Sequence, residues 1–202
     1  MKTDDVLYNH HKDVEEKIGK LYVLCGNKPE EVKELHAGDY VYITGTVYTA
    51  RDAAHKRMVE QKEQGMELPF IMKDQIVYYL GPTPNREGQV IGSAGPTTRS
   101  RMDKYAPTLL DEGLTGMIGK GKRSEAVIDS MKKNTAVYFA AVGGAGALLS
   151  KCIKKSEVIA YDDLGTEAIR KLYVENLPVI TVIDCDGNNL YETAPEKYKR
   201  SH

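Results

Sequence analysis

The clearest pattern in the chain is an alternation of apolar and polar positions in "HAGDYVYITGTVYTA", residues 36–50. Val41 and Ile43 alternate with tyrosines and a threonine, which is the period of two typical of a half-buried β-strand. Gly45 interrupts the alternation, and a glycine inside a strand pattern indicates a bulge or a close backbone approach. The pattern therefore predicts a strand with a bulge or a close backbone approach at Gly45.

Helical and strand patterns then follow one another along the chain. The spacing of Ala54, Met58 and Gln61 predicts a helix, and Gly65 provides its C-terminal stop. Patterns of the same kind predict further helices in residues 103–113, 124–133, 143–153 and 167–177. Strand patterns occur in residues 75–84, 88–98, 115–124, 135–142, 156–165 and 178–192.

This order of elements predicts an α/β fold. The C-terminal half alternates strand and helix, and the strand-rich first half favours a mixed sheet with a partly barrel-like part. Residues 1–30 are interpreted as a charged N-terminal extension with the first elements, including weak helical periodicity over residues 13–24. Residues 31–202 are interpreted as a single domain.

Composition excludes several classes of protein. A formal net charge of −1 gives no global basic field for nucleic acid. The longest apolar run, residues 136–142, is too short to span a bilayer, and the polar N-terminus does not resemble a secretory signal. The three cysteines, Cys25, Cys152 and Cys185, are widely spaced, which predicts a cytoplasmic protein and no metal site made by this chain alone.

Two glycine-rich turns invite nucleotide-binding interpretations that fail on detail. "GMIGKGK" matches the start of a phosphate-binding loop, but Arg123 stands where a serine or threonine must bind magnesium. "GGAGALLS" lacks the third glycine of a dinucleotide fingerprint, because Leu149 takes its place. Tight packing of a helix start against a strand explains the second turn better.

The stretch "GPTTRSRMD" is the strongest candidate for binding chemistry. Pro96 stiffens the turn, and Thr97 or Thr98 can cap the next helix. Capping does not explain Arg99 and Arg101, since the helix dipole opposes cations at an N-terminus unless an anion binds there. A planar guanidinium suits a carboxylate, so the stretch indicates a site for a small carboxylate or polyanion.

Two further basic clusters, "TARDAAHKR" and "GKGKRS", follow the same plan. Each places Arg or Lys after a predicted strand and before a predicted helix. Proteins with α/β folds usually bind their ligands at such strand ends.

These motifs also carry a family resemblance. Together with "AAVGGAGALLSKCIKKSEVIAYDDLGTEAI", they resemble the β subunit of two-subunit class I fumarate hydratase, which is also the C-terminal domain of the single-chain enzymes. The resemblance runs from about Glu34 to Glu192. It implies a single swivelling β/β/α-type domain with a mixed sheet. It also implies interconversion of fumarate and (S)-malate by a 4Fe–4S cluster that the α subunit binds.

The resemblance assigns roles to residues motif by motif. Arg51, Arg101 and Lys120 would bind the two substrate carboxylates, and Thr98 would complete the site. Thr97 would take the proton from carbon in the malate-to-fumarate direction. An unactivated hydroxyl is a poor base, so Thr97 needs help, and a neutral Lys120 could be the base instead.

Three more residues are assigned a supporting role around this set: His55, Asp52 and Arg99. His55 follows Arg51 by four residues, which places both on one helix face. It could donate a proton, although packing beside the site is the favoured interpretation.

The resulting hypothesis is a hydro-lyase β subunit in the cytoplasm, with a place in the tricarboxylic acid cycle and active only with its α subunit in an α2β2 assembly. The isolated chain could form a homodimer, and no nucleic acid or membrane partner is expected. The L-tartrate dehydratase β subunit is the alternative of the same class, since that group shares "GPTT". A non-catalytic binding or assembly protein that has kept the fold is the alternative of another class.

Overall fold

The computed structural model describes residues 21–24, 29–83, 88–96, 101–141 and 146–198. The strands are β1 Leu21–Leu24, β2 Tyr40–Thr49, β3 Ile76–Tyr78, β4 Gly116–Gly119, β5 Val137–Ala141, β6 Ile153–Ala160 and β7 Ile169–Ile183. The helices are α1 Pro29–Lys33, α2 Asp52–Glu63, α3 Ala106–Asp111, α4 Glu125–Asn134, α5 Gly146–Cys152 and α6 Leu190–Tyr198, with a 3-10 segment at Asp162–Glu167.

Within these residues, seven strands form one mixed sheet in the order β1-β2-β3-β4-β5-β7-β6. The neighbours from β1 to β5 run parallel, whereas β7 is antiparallel to β2, β5 and β6. Because β7 pairs with both β5 and β2, the sheet closes on itself. The predicted α/β class and the mixed, partly barrel-like sheet are confirmed.

The strand predicted between residues 36 and 50 is confirmed as β2. Val41, Ile43 and Val47 are buried, and the register against β7 shifts between Ile43 and Gly45. Gly45 has φ +137°, a backbone conformation that residues with a Cβ rarely adopt. The register shift therefore lies beside Gly45, where the sequence indicates a bulge or a close backbone approach, and the structure shows the bulge.

Alternate residues of the central strands face two separate cores. Ile76 and Tyr78 of β3 belong to a cluster built mainly from β2, β5 and β7. Val77 faces the other way, into a cluster that includes Met58 of α2 and Met131 of α4. The first cluster thus fills the closed sheet, and the second attaches α2, α3 and α4 to its outer face.

The helix predicted over residues 167–177 is wrong, because this segment is the first part of β7. Leu172 and Val174 are buried while Tyr173 is exposed, which is strand alternation. Asn176 has φ +51° and Pro178 lies two residues later. The alternation is therefore interrupted near residues 177 and 178, the boundary between the predicted helix and the next predicted strand. Pairing with β2 and β6 on both sides overrides the local pattern.

Two smaller predictions also differ from the structure. Leu21–Leu24, placed in a weak helical pattern, form β1 beside β2. Residues 88–96 contain no strand and contribute an isolated bridge from Pro96 to Leu80. No described helix is long and apolar enough to cross a membrane.

Candidate functional site

The basic residues of two motifs follow parallel strands of the sheet. Arg51 comes two residues after β2 and directly before α2, and Lys120 directly follows β4. Gly81 follows β3, which lies between these two strands. Since β2, β3 and β4 are parallel, their carboxyl ends meet at one edge, called here the carboxyl edge.

Arg51 is fixed by contacts on two sides. Its Nη2 lies 3.1 Å from Oε1 of Glu167, and about a quarter of its side chain is exposed. A Cβ added to Gly81 would lie 2.5 Å from Nη1 and 2.7 Å from Cδ of Arg51. The guanidinium therefore lies against the main chain of Gly81, in space that a larger residue would fill.

Arg101 contacts the first residue of α2, which is acidic. Its Nη1 lies 3.5 Å from Oδ2 of Asp52, and 77% of the Arg101 side chain is exposed. The structure thus brings Arg51, Asp52 and Arg101 together at the N-terminus of α2. An open pocket of about 440 Å³ begins here, and its lining combines three cations with one carboxylate: Asp52, Ala53, Lys56, Arg101, Lys104 and Tyr105.

Lys120 is exposed at the end of β4. A residue distant in the sequence stabilises the turn that carries Lys120, since the N–H of Gly121 donates to the hydroxyl of Tyr191 at 2.8 Å. Helix α6, which contains Tyr191, therefore supports the loop at the carboxyl edge.

The "GPTT" stretch is described only up to Pro96. Pro96 pairs with Leu80 at the end of β3, and the N–H of Ala94 donates to the carbonyl of Gly146 at 3.0 Å. These contacts bring the loop before the motif to the carboxyl edge. Thr97, Thr98 and Arg99 lie outside the described residues, and their predicted roles stay predictions.

His55 is completely buried directly behind Arg51. Its Nδ1 lies 2.8 Å from the carbonyl oxygen of Arg51, so Nδ1 carries the proton and donates it to that oxygen. The ring meets Tyr79 edge-on at 5.2 Å. Burial lowers the pKa of His55 to about 4, which keeps the imidazole neutral. The structure thus places the imidazole in the core, away from solvent.

Arg123, grouped with the basic cluster "GKGKRS", is buried rather than presented to a ligand. Its Nε lies 3.1 Å from Oδ1 of Asp103, and its guanidinium lies 5.1 Å from the ring centroids of both Tyr79 and Tyr138. The other oxygen of Asp103 accepts a hydrogen bond from the N–H of Ser124 at 2.8 Å. Sequence reasoning missed this link, although Asp103 belongs to "GPTTRSRMD".

Glu167 is the second residue that sequence reasoning missed. Besides its contact with Arg51, its Oε2 accepts a hydrogen bond from the N–H of Ala53 at 3.1 Å. No local pattern connects Glu167 with α2, because the two are joined by the closure of the sheet. The acidic character of "YDDLGTE" was the available signal.

The described residues do not fit an iron–sulfur cluster. They contain no group of three or more His, Cys, Asp or Glu side chains arranged for a metal ion. Burial raises the pKa of the thiols of Cys152 and Cys185, which favours the thiol over the thiolate that iron requires.

In comparisons with known proteins, the family model and the relatives that match this chain all point to one family. The family model described as "Fumarase C-terminus" matches residues 3–194, a longer stretch than the motifs alone indicated. The aerobic class I fumarate hydratase of Salmonella typhimurium is 40% identical over 152 residues, which cover 74% of this chain and 26% of that protein. Fumarate hydratase 2 of Leishmania major is 38% identical over 164 residues, covering 80% of this chain and 29% of that protein.

A relative of similar length also matches. A Methanocaldococcus jannaschii protein with the provisional name L(+)-tartrate dehydratase subunit beta is 34% identical over 174 residues. The match covers 83% of this chain and 89% of that protein. By contrast, the chain spans less than a third of the length of the two fumarate hydratases.

Proposed function

Because the chain belongs to the family described as Fumarase C-terminus, we propose that it is the β subunit of a hydro-lyase that interconverts fumarate and (S)-malate. The observation that carries the proposal is that Arg51 precedes α2 while Arg101 contacts Asp52, the first residue of the same helix. The proposal includes a cytoplasmic location and an α2β2 assembly with a separate α subunit.

Two guanidinium groups at one helix start suit a small dicarboxylate. Each already contacts a carboxylate of the chain, Glu167 for Arg51 and Asp52 for Arg101. Removal of a proton next to a carboxylate builds an enediolate-like dianion, so cations that contact this carboxylate stabilise the transition state more than the substrate. Arg51, Arg101 and Lys120 would supply these cations.

Two residues of the chain are candidates for the proton transfer. Thr97 would take the proton from carbon, and Lys120 would either assist it or act as the base itself. His55 does not suit the role, because it is buried, neutral and already donates its Nδ1 proton to the carbonyl of Arg51.

The α subunit would supply the other half of the site. In the proposal that subunit would hold a 4Fe–4S cluster, which would supply a Lewis acid for the hydroxyl group of the substrate. The described residues of this chain offer no ligand set for that cluster. The contribution of this chain would therefore be carboxylate binding and proton transfer.

The L-tartrate dehydratase β subunit is the second candidate. The observation that favours it is the match to the Methanocaldococcus jannaschii relative over 89% of that protein. Tartrate is also a dicarboxylate that loses water, so the same cations would serve. A non-catalytic binding or assembly protein that has kept the fold would retain these cations without turnover.

One reconstitution experiment separates these candidates. We expect the purified chain to be colourless, iron-free and inactive on fumarate. An α subunit with a reduced 4Fe–4S cluster, added anaerobically at one to one, should produce activity on fumarate and (S)-malate. Turnover of a tartrate instead would favour the second candidate, and no turnover of any substrate would favour a non-catalytic protein. Iron or activity in the isolated chain would contradict the proposal.

A further inference from the structure

The carboxylate of Glu167 bridges Arg51 and the first turn of α2. One oxygen lies 3.1 Å from Nη2 of Arg51, and the other accepts the N–H of Ala53 at 3.1 Å. A carboxylate held at two points has little freedom to follow a moving guanidinium. Glu167 therefore constrains Arg51.

Helix α2 depends on this carboxylate for its cap. Arg51 occupies the position before the first helical residue, and its side chain forms no capping hydrogen bond. The free N–H groups and the positive end of the helix dipole favour an anion here. Glu167 fills this position from a distant part of the chain, which ties its carboxylate to the helix as well as to Arg51.

The segment that carries Glu167 is fastened along α2 at two further places. Arg57 donates two hydrogen bonds to Asp163, at 2.7 and 2.8 Å, and its guanidinium lies 4.9 Å from the ring centroid of Tyr161. The hydroxyl of Tyr161 donates to the side chain of Gln61. Contacts therefore run along the helix from Gln61 to Arg51, and Glu167 makes the last of them.

We infer that Glu167 is a positioning residue that fixes the guanidinium of Arg51 for a substrate carboxylate, an inference that rests on the proposed function. Glu167 holds Nη2, and Gly81 lies beside Nη1 and Cδ. The remaining N–H groups and the exposed quarter of Arg51 leave room for a ligand. A guanidinium ordered before binding loses less entropy when the substrate arrives.

Glu167→Gln tests the inference in the reconstituted enzyme. The amide oxygen can still accept the N–H of Ala53, whereas the charge that holds Arg51 is lost. We expect the KM for (S)-malate to rise roughly tenfold, the effect of one charge-assisted hydrogen bond, and kcat to change less than about twofold. A fall in KM would overturn the inference, because Glu167 would then compete with the substrate.

Two further variants separate positioning from general support. Asp163→Asn makes the same change of charge on the same segment without touching Arg51, and its KM should equal that of the wild type. In an Arg51→Lys background, Glu167→Gln should raise KM less than about twofold further, because the guanidinium that Glu167 positions is gone. Equal effects of the two acid variants, or full additivity with Arg51→Lys, would overturn the inference.

A measurement on the isolated chain does not depend on activity. The Nε–H nuclear magnetic resonance signal of Arg51, assigned by its loss in Arg51→Lys, should show restricted guanidinium rotation in the wild type and in Asp163→Asn. Glu167→Gln should release that rotation. If the wild-type pair proves inactive, the proposed function fails while this comparison still decides whether Glu167 holds Arg51. Unchanged rotation in Glu167→Gln would overturn the inference.

Discussion

The carboxylate of Asp103 lies 3.1 Å from Nε of Arg123, whose side chain is completely buried. This pair joins the two loops that carry Arg101 and Lys120, because Asp103 follows the first by two residues and Arg123 follows the second by three. A buried ion pair thus joins the loops that carry two candidate substrate-binding cations.

Asp103→Asn should therefore destabilise the isolated chain. Its side-chain oxygen can still accept the N–H of Ser124, but the buried guanidinium of Arg123 loses its carboxylate partner. Leaving a buried charge unpaired costs about 3 kcal/mol, which urea denaturation would measure. Asp163→Asn, which breaks an exposed ion pair, should destabilise the chain far less. Equal losses in both variants would contradict the buried role of the pair.

Gly81→Ala should reduce activity while leaving the protein stable. The added methyl group would come within 2.5 Å of Nη1 of Arg51, and the flexible arginine can move away at little cost in stability. A displaced guanidinium binds the substrate carboxylate in the wrong place. We expect kcat/KM to fall roughly ten- to a hundredfold, with a change of about 1 kcal/mol or less in the free energy of unfolding.

Gly119→Ala is the matched contrast for that prediction. Its methyl group would lie 2.7 Å from the hydroxyl oxygen of Tyr138 and 2.9 Å from Cδ2 of Tyr79, both in fully buried side chains. Overpacking of this kind costs about 1–3 kcal/mol. Greater destabilisation by Gly81→Ala than by Gly119→Ala would show that the Arg51 side chain cannot move away from the added methyl group.

The sequence predicts the parts of the site that depend on neighbouring residues. The sequence predicts Arg51 and Lys120 at strand ends. The signals are local: apolar and polar residues alternate in β2, and β4 is a short apolar run. The helix α2 was recognised from the spacing of Ala54 and Met58, both of which are buried. Local periodicity and turn chemistry are sufficient for these placements.

The missed features depend on closure of the sheet. Glu167 meets Arg51 because the segment before β7 packs beside α2, and β7 itself was interpreted as a helix followed by a strand. Its alternation is broken near Asn176, where φ is +51°. Because a bulge interrupts the alternation, the sequence of β7 alone does not show the period of two of a strand. Pairing with β2 and β6 determines the conformation of β7.

His55 predicts a specific dependence of stability on pH. Its pKa is lowered by burial from 6.5 to about 4, so the unfolded chain binds a proton more readily than the folded one between these values. Stability from the neutral imidazole is complete above pH 6.5 and decreases as the pH falls towards 4. Relative to His55→Gln, the wild type should lose about 3 kcal/mol over this range.

Chemical denaturation at several pH values would measure this difference. The carboxylates titrate in both proteins and cancel in the comparison. His36→Gln serves as the control for the loss of a histidine, because the His36 side chain is 66% exposed. Parallel profiles for the wild type and His55→Gln would show that His55 is not held neutral by burial.

Arg101→Lys should weaken catalysis although it keeps the charge. Lysine lacks the planar fork that binds both oxygens of a carboxylate. We expect kcat/KM of the reconstituted enzyme to fall roughly tenfold or more. Arg57→Lys, the same substitution at an arginine that contacts Asp163, should leave kcat/KM near the wild-type value. Unchanged kinetics for Arg101→Lys would remove Arg101 from the site.

Thr97→Val separates a catalytic hydroxyl from a helix cap. If Thr97 takes the proton from carbon, the variant should lose turnover and bind (S)-malate almost normally, because valine has a similar shape without the hydroxyl. If Thr97 only caps a helix, the variant should lose about 1 kcal/mol of stability and keep most of its activity. Turnover and urea denaturation, measured on one preparation, decide between these roles. Retained turnover would leave Lys120 as the base, and Lys120→Met should then abolish activity.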